Sequence, residues 1–307
     1  MHRVKVIVNP AAGRGYAAKM MPKVRHYLGA LGVDYDLVYT AAAGDAIRLT
    51  QEACDDGFDT IVSVGGDGTT HEVVNGLMLK GDGEPAGTLA CIPAGSGNDF
   101  AIMHGVPEDT EGACRLLAEG ATRVVDVGQV TIDGRIKRYF GNVVGIGFDG
   151  LAARETRKHR RLRGLALYLP VVLKTIFVTM RPVRAEIIFD GERVHVEPLM
   201  VVVCNGQREG GGFFVAPNAR SDDGMLDVII ADTMSKLQML AMVPRFLKGT
   251  HLSDRRVSAR EVKHFVMTSQ DPLYAHVDGE ILCDEVHHIE IKVIPGCLRV
   301  ISAPRSA

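Results

Sequence analysis

Charge is nearly balanced in this 307-residue chain: 35 Lys and Arg face 37 Asp and Glu, a formal net charge of −2. That balance gives no global pull toward nucleic acid, and no nucleic-acid partner is expected. No C-x-x-C pair occurs, and the six cysteines (Cys54, Cys91, Cys114, Cys204, Cys283, Cys297) are scattered. This excludes the common zinc patterns and offers no disulfide framework. Free thiols in a reducing cytoplasm are the simplest account. No stretch of ~20 apolar residues exists, so nothing is expected to span a bilayer. The first eight residues are strand-like and lack the apolar core of a signal peptide. Internal repeats and low-complexity linkers are also missing. What remains is ordinary globular composition, 46% hydrophobic and 23% charged, at a length that favours two domains.

The chain is organised around Ile61–Leu77. An apolar run, Ile61–Val64, reads as a buried parallel strand. Gly65 and Gly66 stop it, Asp67, Gly68 and Thr69 follow, and the pattern then turns helical with Val73, Val74 and Leu77 on one side. Strand, glycine turn and helix aim backbone N–H groups at an anion. Glycines admit positive φ and let a phosphate approach bare backbone. Asp67 would repel a naked phosphate but becomes a partner once Mg²⁺ lies between them. Taken alone, the stretch is equally an ordinary βα turn.

Two further glycine loops follow strands, at Asn9-Pro10-Ala11-Ala12-Gly13 and at Gly95-Ser96-Gly97-Asn98. Strands and helices alternate up to about residue 123, which predicts a doubly wound parallel sheet with ligands beyond the carboxyl ends of its strands. Three glycine loops at such ends favour a phosphate site. After Arg123 the pattern becomes strand-rich. Single strands are expected over 138–145 and 193–204, separate ones over 286–294 and 298–302, and helices over 150–180 and 235–247. This predicts an antiparallel sandwich. The boundaries are residues 1–126 for the α/β domain, with about 296–307 returning to it, and 127–295 for the β-rich domain.

Assembled in order, these motifs resemble the soluble bacterial diacylglycerol-kinase-type lipid kinases, which share a superfamily with NAD kinases and sphingosine kinases. The matching residues are Asn9-Pro10 with Gly13 and Gly15; Gly65-Gly66-Asp67-Gly68-Thr69 with Glu72 and Asn75-Gly76; Gly95-Ser96-Gly97-Asn98-Asp99-Phe100; Asp126-Val127-Gly128; Asp222-Asp223-Gly224; and Asp278-Gly279-Glu280. The resemblance implies an ATP- and Mg²⁺-dependent kinase acting on a lipid hydroxyl, diacylglycerol or a relative. It implies that Asn9, Pro10, Gly65, Gly66, Asp67, Gly68, Thr69, Gly95, Ser96, Gly97 and Asn98 bind the nucleotide. It makes Asp278 the general base, with Glu280 beside the metal or base and Asp67 at the phosphates. Asp99, Asp126 and Asp223 would hold a further Mg²⁺ that keeps its waters. Two departures stand out. Ile102 replaces the family arginine two residues after Phe100, and His71 replaces a small polar residue and is read as lying on the helix surface. A soluble-substrate kinase of the NAD kinase type, or a non-catalytic nucleotide or lipid sensor, are the alternatives.

Arg157, Lys158, Arg160 and Arg161 sit in a basic cluster that precedes an apolar stretch over 165–180. This reads as peripheral contact with an anionic membrane; a solvated charged helix followed by a core helix is the competing reading. Read alone, Asp278-Gly279-Glu280 is also a hairpin turn. Gly145-Ile146-Gly147-Phe148-Asp149-Gly150 fits a dinucleotide fingerprint but has no acid about 20 residues on, and it is read as a tight structural turn. An exposed edge strand in the second domain could pair two copies into a homodimer.

Overall fold

A computed structural model of the chain describes residues 3–81, 84–156, 165–176, 183–282 and 285–304. The chain divides into two compact units, residues 1–127 with 295–307, and residues 128–294.

The first unit alternates β1 (Val4–Val8), α1 (Ala12–Ala30), β2 (Tyr35–Tyr39), α2 (Asp45–Asp55), β3 (Thr60–Gly65), α3 (Asp67–Gly81) and β4 (Thr88–Pro93). Two short helices follow, α4 (Asp99–Met103) and α5 (Thr110–Glu119), and then β5 (Thr122–Ile132). The sheet order is β2-β1-β3-β4, and all these pairs are parallel. The last residues of the final strand add beside β4, Arg299 opposite Thr88. β3 and β4 are buried along their whole lengths. That is why the sequence there reads as apolar runs rather than alternation. Helices on both faces make this a doubly wound sheet, so β1, β3 and β4 all end at one edge.

Two motif residues turn out to hold this scaffold. Gly76 faces α2, where an added Cβ would lie 2.5 Å from Thr50 Cβ and 2.8 Å from the Ile47 carbonyl. Only glycine permits that helix spacing. Glu72 reaches α2 as well, accepting from Gly44 N at 2.8 Å and Ala46 N at 3.0 Å. Gly44 starts α2 with no side chain of its own to cap it, and Glu72 supplies the missing acceptor.

The second unit continues with β6 (Ile136–Phe140), β7 (Val143–Gly147), α6 (Phe148–Thr156), α7 (Leu165–Lys174), β8 (Ala185–Phe189), β9 (Glu192–Val196) and β10 (Pro198–Cys204). It is completed by β11 (Arg208–Glu209), β12 (Phe213–Phe214), β13 (Leu226–Asp232), α8 (Lys236–Lys248), β14 (Val257–Val262), β15 (His264–Leu273), β16 (Ala275–Val277) and β17 (Val286–Ile301). One antiparallel layer runs β14-β13-β10-β7-β16, and another runs β17-β15-β8-β9. Their facing side chains make one core, including Ile146, Val201, Leu226 and Val228 from the first and Ile187, Phe265, Ile289 and Ile291 from the second. An α/β unit followed by an antiparallel sandwich is the fold class expected from the sequence.

Several boundaries differ from expectation. The strand expected over 138–145 breaks at Gly141-Asn142, because the backbone there turns to meet the Asp278 carboxylate. The strand expected over 193–204 splits around Glu197 into β9 and β10, and the pairing register shifts between Pro198 and Met200. The strands expected over 286–294 and 298–302 are one strand, β17. Gly296 takes φ +58 and donates to Asp126 Oδ1 at 2.8 Å, so the chain bends through Pro295-Gly296 without ending the strand. Within the helix expected over 150–180, the described residues are helical in α6 and α7; residues 157–164 and 177–182 lie outside the described residues. No described helix is long and apolar enough to cross a membrane.

Candidate functional site

In the first unit the loops after β1, β3 and β4 lock together. Asn9 N donates to Val64 O at 3.0 Å, and Ala94 N donates to Gly65 O at 2.7 Å. Asn9 Nδ2 donates to Thr69 Oγ1 at 3.0 Å, while Asn9 Oδ1 accepts from Ala11 N. Pro10 follows within the same loop, half-buried beside Asn9. A Cβ on Gly13 would lie 2.2 Å from Ala94 O, and one on Gly95 would lie 2.5 Å from Gly66 Cα. The three loops therefore touch backbone to backbone. Gly13, Arg14 and Gly15 all take positive φ, so α1 opens with a left-handed turn. Successive N–H groups in such turns form concavities that suit anions.

Asp67 opens α3, and its Oδ1 accepts from Phe100 N at 3.2 Å, tying α3 to α4. Gly68 follows it in the first helical turn, half-buried, with Thr69 buried beneath. Asn98 takes φ +55 and closes the third loop, accepting from Gly95 N at 2.9 Å. Ser96 is exposed at the tip of that loop and Gly97 is half-buried beside it. Every loop residue read from the sequence therefore lies in or beside one backbone cradle at the N-terminus of the 15-residue helix α3, whose dipole favours negative charge.

His71 needs correction. It is only 6% exposed, packed inside α3 against Asn75, whose Nδ2 lies 3.3 Å from His71 Nε2. α3 is buried on almost every side, so helical position alone misjudged it. Ile102 is half-buried on α4. Near it the His104 ring packs tilted against Phe100 and meets Arg123, Nη2 to Nδ1 at 2.9 Å.

In the second unit, Val277 to Glu280 is a two-residue hairpin turn. Val277 and Glu280 exchange backbone hydrogen bonds, and Asp278 and Gly279 both have positive φ, +48 and +80. That is the geometry of a primed turn, which Asp-Gly suits. The turn delivers the Asp278 carboxylate to the break between β6 and β7. Oδ2 accepts from Gly141 N at 3.0 Å, and Oδ1 accepts from Asn142 N and Val143 N at 3.0 and 2.9 Å. Asn205, buried, donates to Gly141 O at 2.9 Å and extends the node. Glu280 is exposed beside it. Asn142 and Asn205 were not singled out from sequence. Their signal, an Asn next to Gly inside a strand-like run, is too common to read.

The Gly145–Gly150 run is more than a turn. Gly145 pairs with Val202 and His276 inside the sheet, and the chain passes through Gly147 (φ +80) into α6. Asp149 and Glu209 meet His276 there: Nε2 lies 3.0 Å from Asp149 Oδ2 and 2.9 Å from Glu209 Oε1. A Cβ on Gly145 would sit 2.1 Å from that Asp149 oxygen, so glycine makes the room. Burial, then the neighbouring Asp149 charge, pushes the Glu209 carboxyl up to about 8. Burial also opposes ionisation of Asp149, but His276 outweighs it and holds that carboxyl low. For His276, burial opposes the charged ring, yet the Glu209 and Asp149 carboxylates prevail and raise it well above its usual value. The Gly279 N–H, 3.1 Å from Nδ1, works against a second ring proton. Asp149, Glu209 and His276 therefore titrate as one hydrogen-bonded group, in which Glu209 is the carboxyl that burial keeps protonated.

Asp149, Glu209 and His276 are the one set of metal-ligand side chains found close together among the described residues, their atoms within 4.8 Å of one another. Such a set could accept a cation. However, a metal on Nε2 needs the proton on Nδ1, where Gly279 already donates. The set suits hydrogen bonding better than a hard ion such as Mg²⁺.

The Glu209 proton has a thermodynamic consequence. The unfolded carboxyl titrates near 4.5 and the folded one near 8. Folding therefore binds a proton between these values, and stability from this group is full below pH 4.5 and lost as pH rises through about 8. Thermal unfolding of Glu209→Gln across this range should show a flatter decline than the parent. An unchanged slope would mean that Glu209 does not hold the proton.

Asp149 and Glu209 also line a cavity of about 100 Å³ whose other walls are apolar, among them Phe148, Val172, Leu199, Phe213, Met239 and Phe246. The remaining predicted acids are spread out. Asp99 and Asp126 are each 4% exposed and belong to the first unit. Asp223 belongs to the second, where it is exposed and accepts from Met225 N at 3.0 Å in a turn. Arg157, Lys158, Arg160 and Arg161 lie outside the described residues.

A doubly wound unit with three fused glycine loops, followed by an antiparallel sandwich, defines a two-domain kinase fold. Comparison with known proteins agrees at both ends. Residues 3–130 match the diacylglycerol kinase catalytic domain, and residues 142–302 match the YegS C-terminal NAD kinase beta sandwich-like domain. The chain belongs to the diacylglycerol kinase family of lipid kinases. It is 30% identical to a diacylglycerol kinase of Mycobacterium tuberculosis, over 97% of this chain and 94% of that one. It is 31% identical to a diacylglycerol kinase of Bacillus subtilis, over 91% and 90%. A solved structure of a diacylglycerol kinase from Bacillus anthracis superimposes with a TM-score of 0.75 at 26% identity, covering 99% and 97% of the chains.

Proposed function

We propose that the protein transfers the γ-phosphate of ATP, with Mg²⁺, to the hydroxyl of diacylglycerol or a closely related glycerolipid. The observation that carries the lipid reading is the apolar cavity of the second unit. A pocket walled by Phe, Met, Leu and Val suits acyl chains and would strand the polar groups of a soluble nucleotide acceptor. In this reading the first unit binds the nucleotide and the second binds the lipid.

The chemistry follows from the residues. Phosphoryl transfer depends on positioning and on neutralising charge. The N–H groups of the Gly65–Thr69 and Gly95–Asn98 loops, with Asn9 and Pro10 beside them, hold the phosphates at the positive end of α3. Asp67 offers hard oxygen ligands at the same place, the donor type Mg²⁺ takes, with Asp99, Asp126 and Asp223 as further candidates. Bound there, Mg²⁺ would offset phosphate charge. Asp278 takes the proton of the attacking hydroxyl and Glu280 stands beside it. The lipid is reached at a cytoplasmic membrane surface, to which Arg157, Lys158, Arg160 and Arg161 contribute attraction.

The test supplies labelled ATP and Mg²⁺ with diacylglycerol vesicles, sphingosine vesicles and NAD in parallel. Label in diacylglycerol is expected. Label only in NAD would overturn the lipid reading, and ATP binding with no transfer to any acceptor would favour a sensor.

A further inference from the structure

The helix α8 is apolar on both sides, which is unusual for a surface helix. Its inner side, Met239, Met242, Val243 and Phe246, lines the cavity. Helical spacing puts Leu237, Ala241, Pro244 and Lys248 together on the opposite side, and all four are exposed. Leu237 is 77% exposed, the most of any large hydrophobic side chain among the described residues. Leu240 and Leu247 flank this face, half-buried.

Charge points the same way. α8 contains Lys236, Arg245 and Lys248 and no acid. Arg255 and Arg256 follow, so residues 236–256 carry an excess of four positive charges over the single acid Asp254. Asp254 is itself taken up by Arg245 at 2.9 Å and Arg256 at 2.7 Å. His251 adds nothing, since burial depresses its pKa and keeps the ring neutral. An apolar strip edged by Lys and Arg is the pattern of a helix lying in a membrane interface, its apolar face among the acyl chains and its basic residues at the headgroups.

We propose that the outward face of α8 docks on an anionic lipid bilayer, so that the wall of the acyl cavity is itself the membrane-contacting element. The proposal rests on the lipid-kinase reading for the role of the cavity. It is independent of the basic cluster at 157–161. A bilayer fits this face better than a protein groove because the apolar strip is narrow, the helix that carries it holds three basic residues and no acid, and it backs directly onto a cavity of acyl character.

Co-sedimentation with phosphatidylglycerol–phosphatidylcholine vesicles tests it. L237E should weaken binding at least about tenfold. The double variant K248Q/R255Q should weaken it roughly fivefold per charge removed and flatten the salt dependence. All three positions are exposed, so thermal stability should be unchanged. Transfer to dihexanoylglycerol, dissolved below its micellar concentration, should stay at parental rates in both variants. Parental vesicle binding in both variants, or no vesicle binding by the parent, would overturn the proposal. Vesicle binding retained while L237E dissociates a dimer in sedimentation velocity would make the face a subunit interface instead. Failure of the parent to phosphorylate either vesicle-borne or dissolved diacylglycerol would instead remove the lipid-kinase reading, whatever α8 does on vesicles.

Discussion

Asp278→Asn should cut phosphoryl transfer by a factor of about 10²–10⁴, the range general bases contribute, while ATP affinity stays within about twofold. Asparagine is the informative replacement. It tolerates the left-handed φ of +48 at this turn as well as aspartate does. Its amide oxygen can still accept from Asn142 N and Val143 N, as Asp278 Oδ1 does now at 3.0 and 2.9 Å. Only the Gly141 N–H would face an amide NH₂. Asp278→Ala would orphan all three donors and confuse loss of the base with damage to the turn, at a cost of about 1–3 kcal/mol for each buried donor left unmet. Steady-state kinetics with ATP titration, beside a thermal melt, separate these effects. A variant that folds, binds ATP and retains transfer within tenfold would remove Asp278 as the base and leave it as the fastener between β6 and β7.

Gly95→Ala should be nearly as damaging by a different route. Its Cβ would meet Gly66 Cα at 2.5 Å and Asn98 Oδ1 at 2.7 Å. Neither atom can swing away as a side-chain tip could, because one is backbone and the other accepts from Gly95 N. The third loop must move off the second, which separates the N–H groups proposed to share the phosphates. ATP affinity should fall by more than about tenfold and stability by about 1–3 kcal/mol, the usual cost of overpacking. Gly29→Ala is the matching control. A Cβ there meets nothing within 4 Å, and the helix should gain about 0.5–1 kcal/mol with nucleotide binding intact. Equal ATP affinity in both variants would mean that the fused loops do not bind the nucleotide.

The glycine-loop half of the candidate site was legible because its turns are local. Glycine after a buried strand and before a helix declares a turn within a few residues, and three such turns on neighbouring parallel strands must share an edge. The Asp149–Glu209–His276 group was not legible, since its members come from a helix start, a two-residue strand and a three-residue strand far apart in the chain. Asp149 in fact lay within the run set aside as a turn. Gly141-Asn142 was invisible for a related reason. What breaks the strand there is a carboxylate more than a hundred residues later, not a local breaker. Pro295-Gly296 erred in the opposite sense. Its residues announce an end, yet Asp126 captures the Gly296 N–H and the strand carries on. His71 shows the limit of helical periodicity, which reports one buried face and misses a helix enclosed on nearly all sides.

The contact between the glycine loops also bears on how such a chain can change over generations. An atom added at position 13 would take the space of the Ala94 carbonyl, and one added at 66 or 95 the space of the other's Cα, so each is paid for by the backbone of a neighbouring loop. Substitutions here are acceptable only in concert, each depending on what its neighbours already are. A single loop transplanted from a distant relative would bring its own spacing into a cradle shaped by the other two. The three loops, separate in the linear text, are inherited as one part.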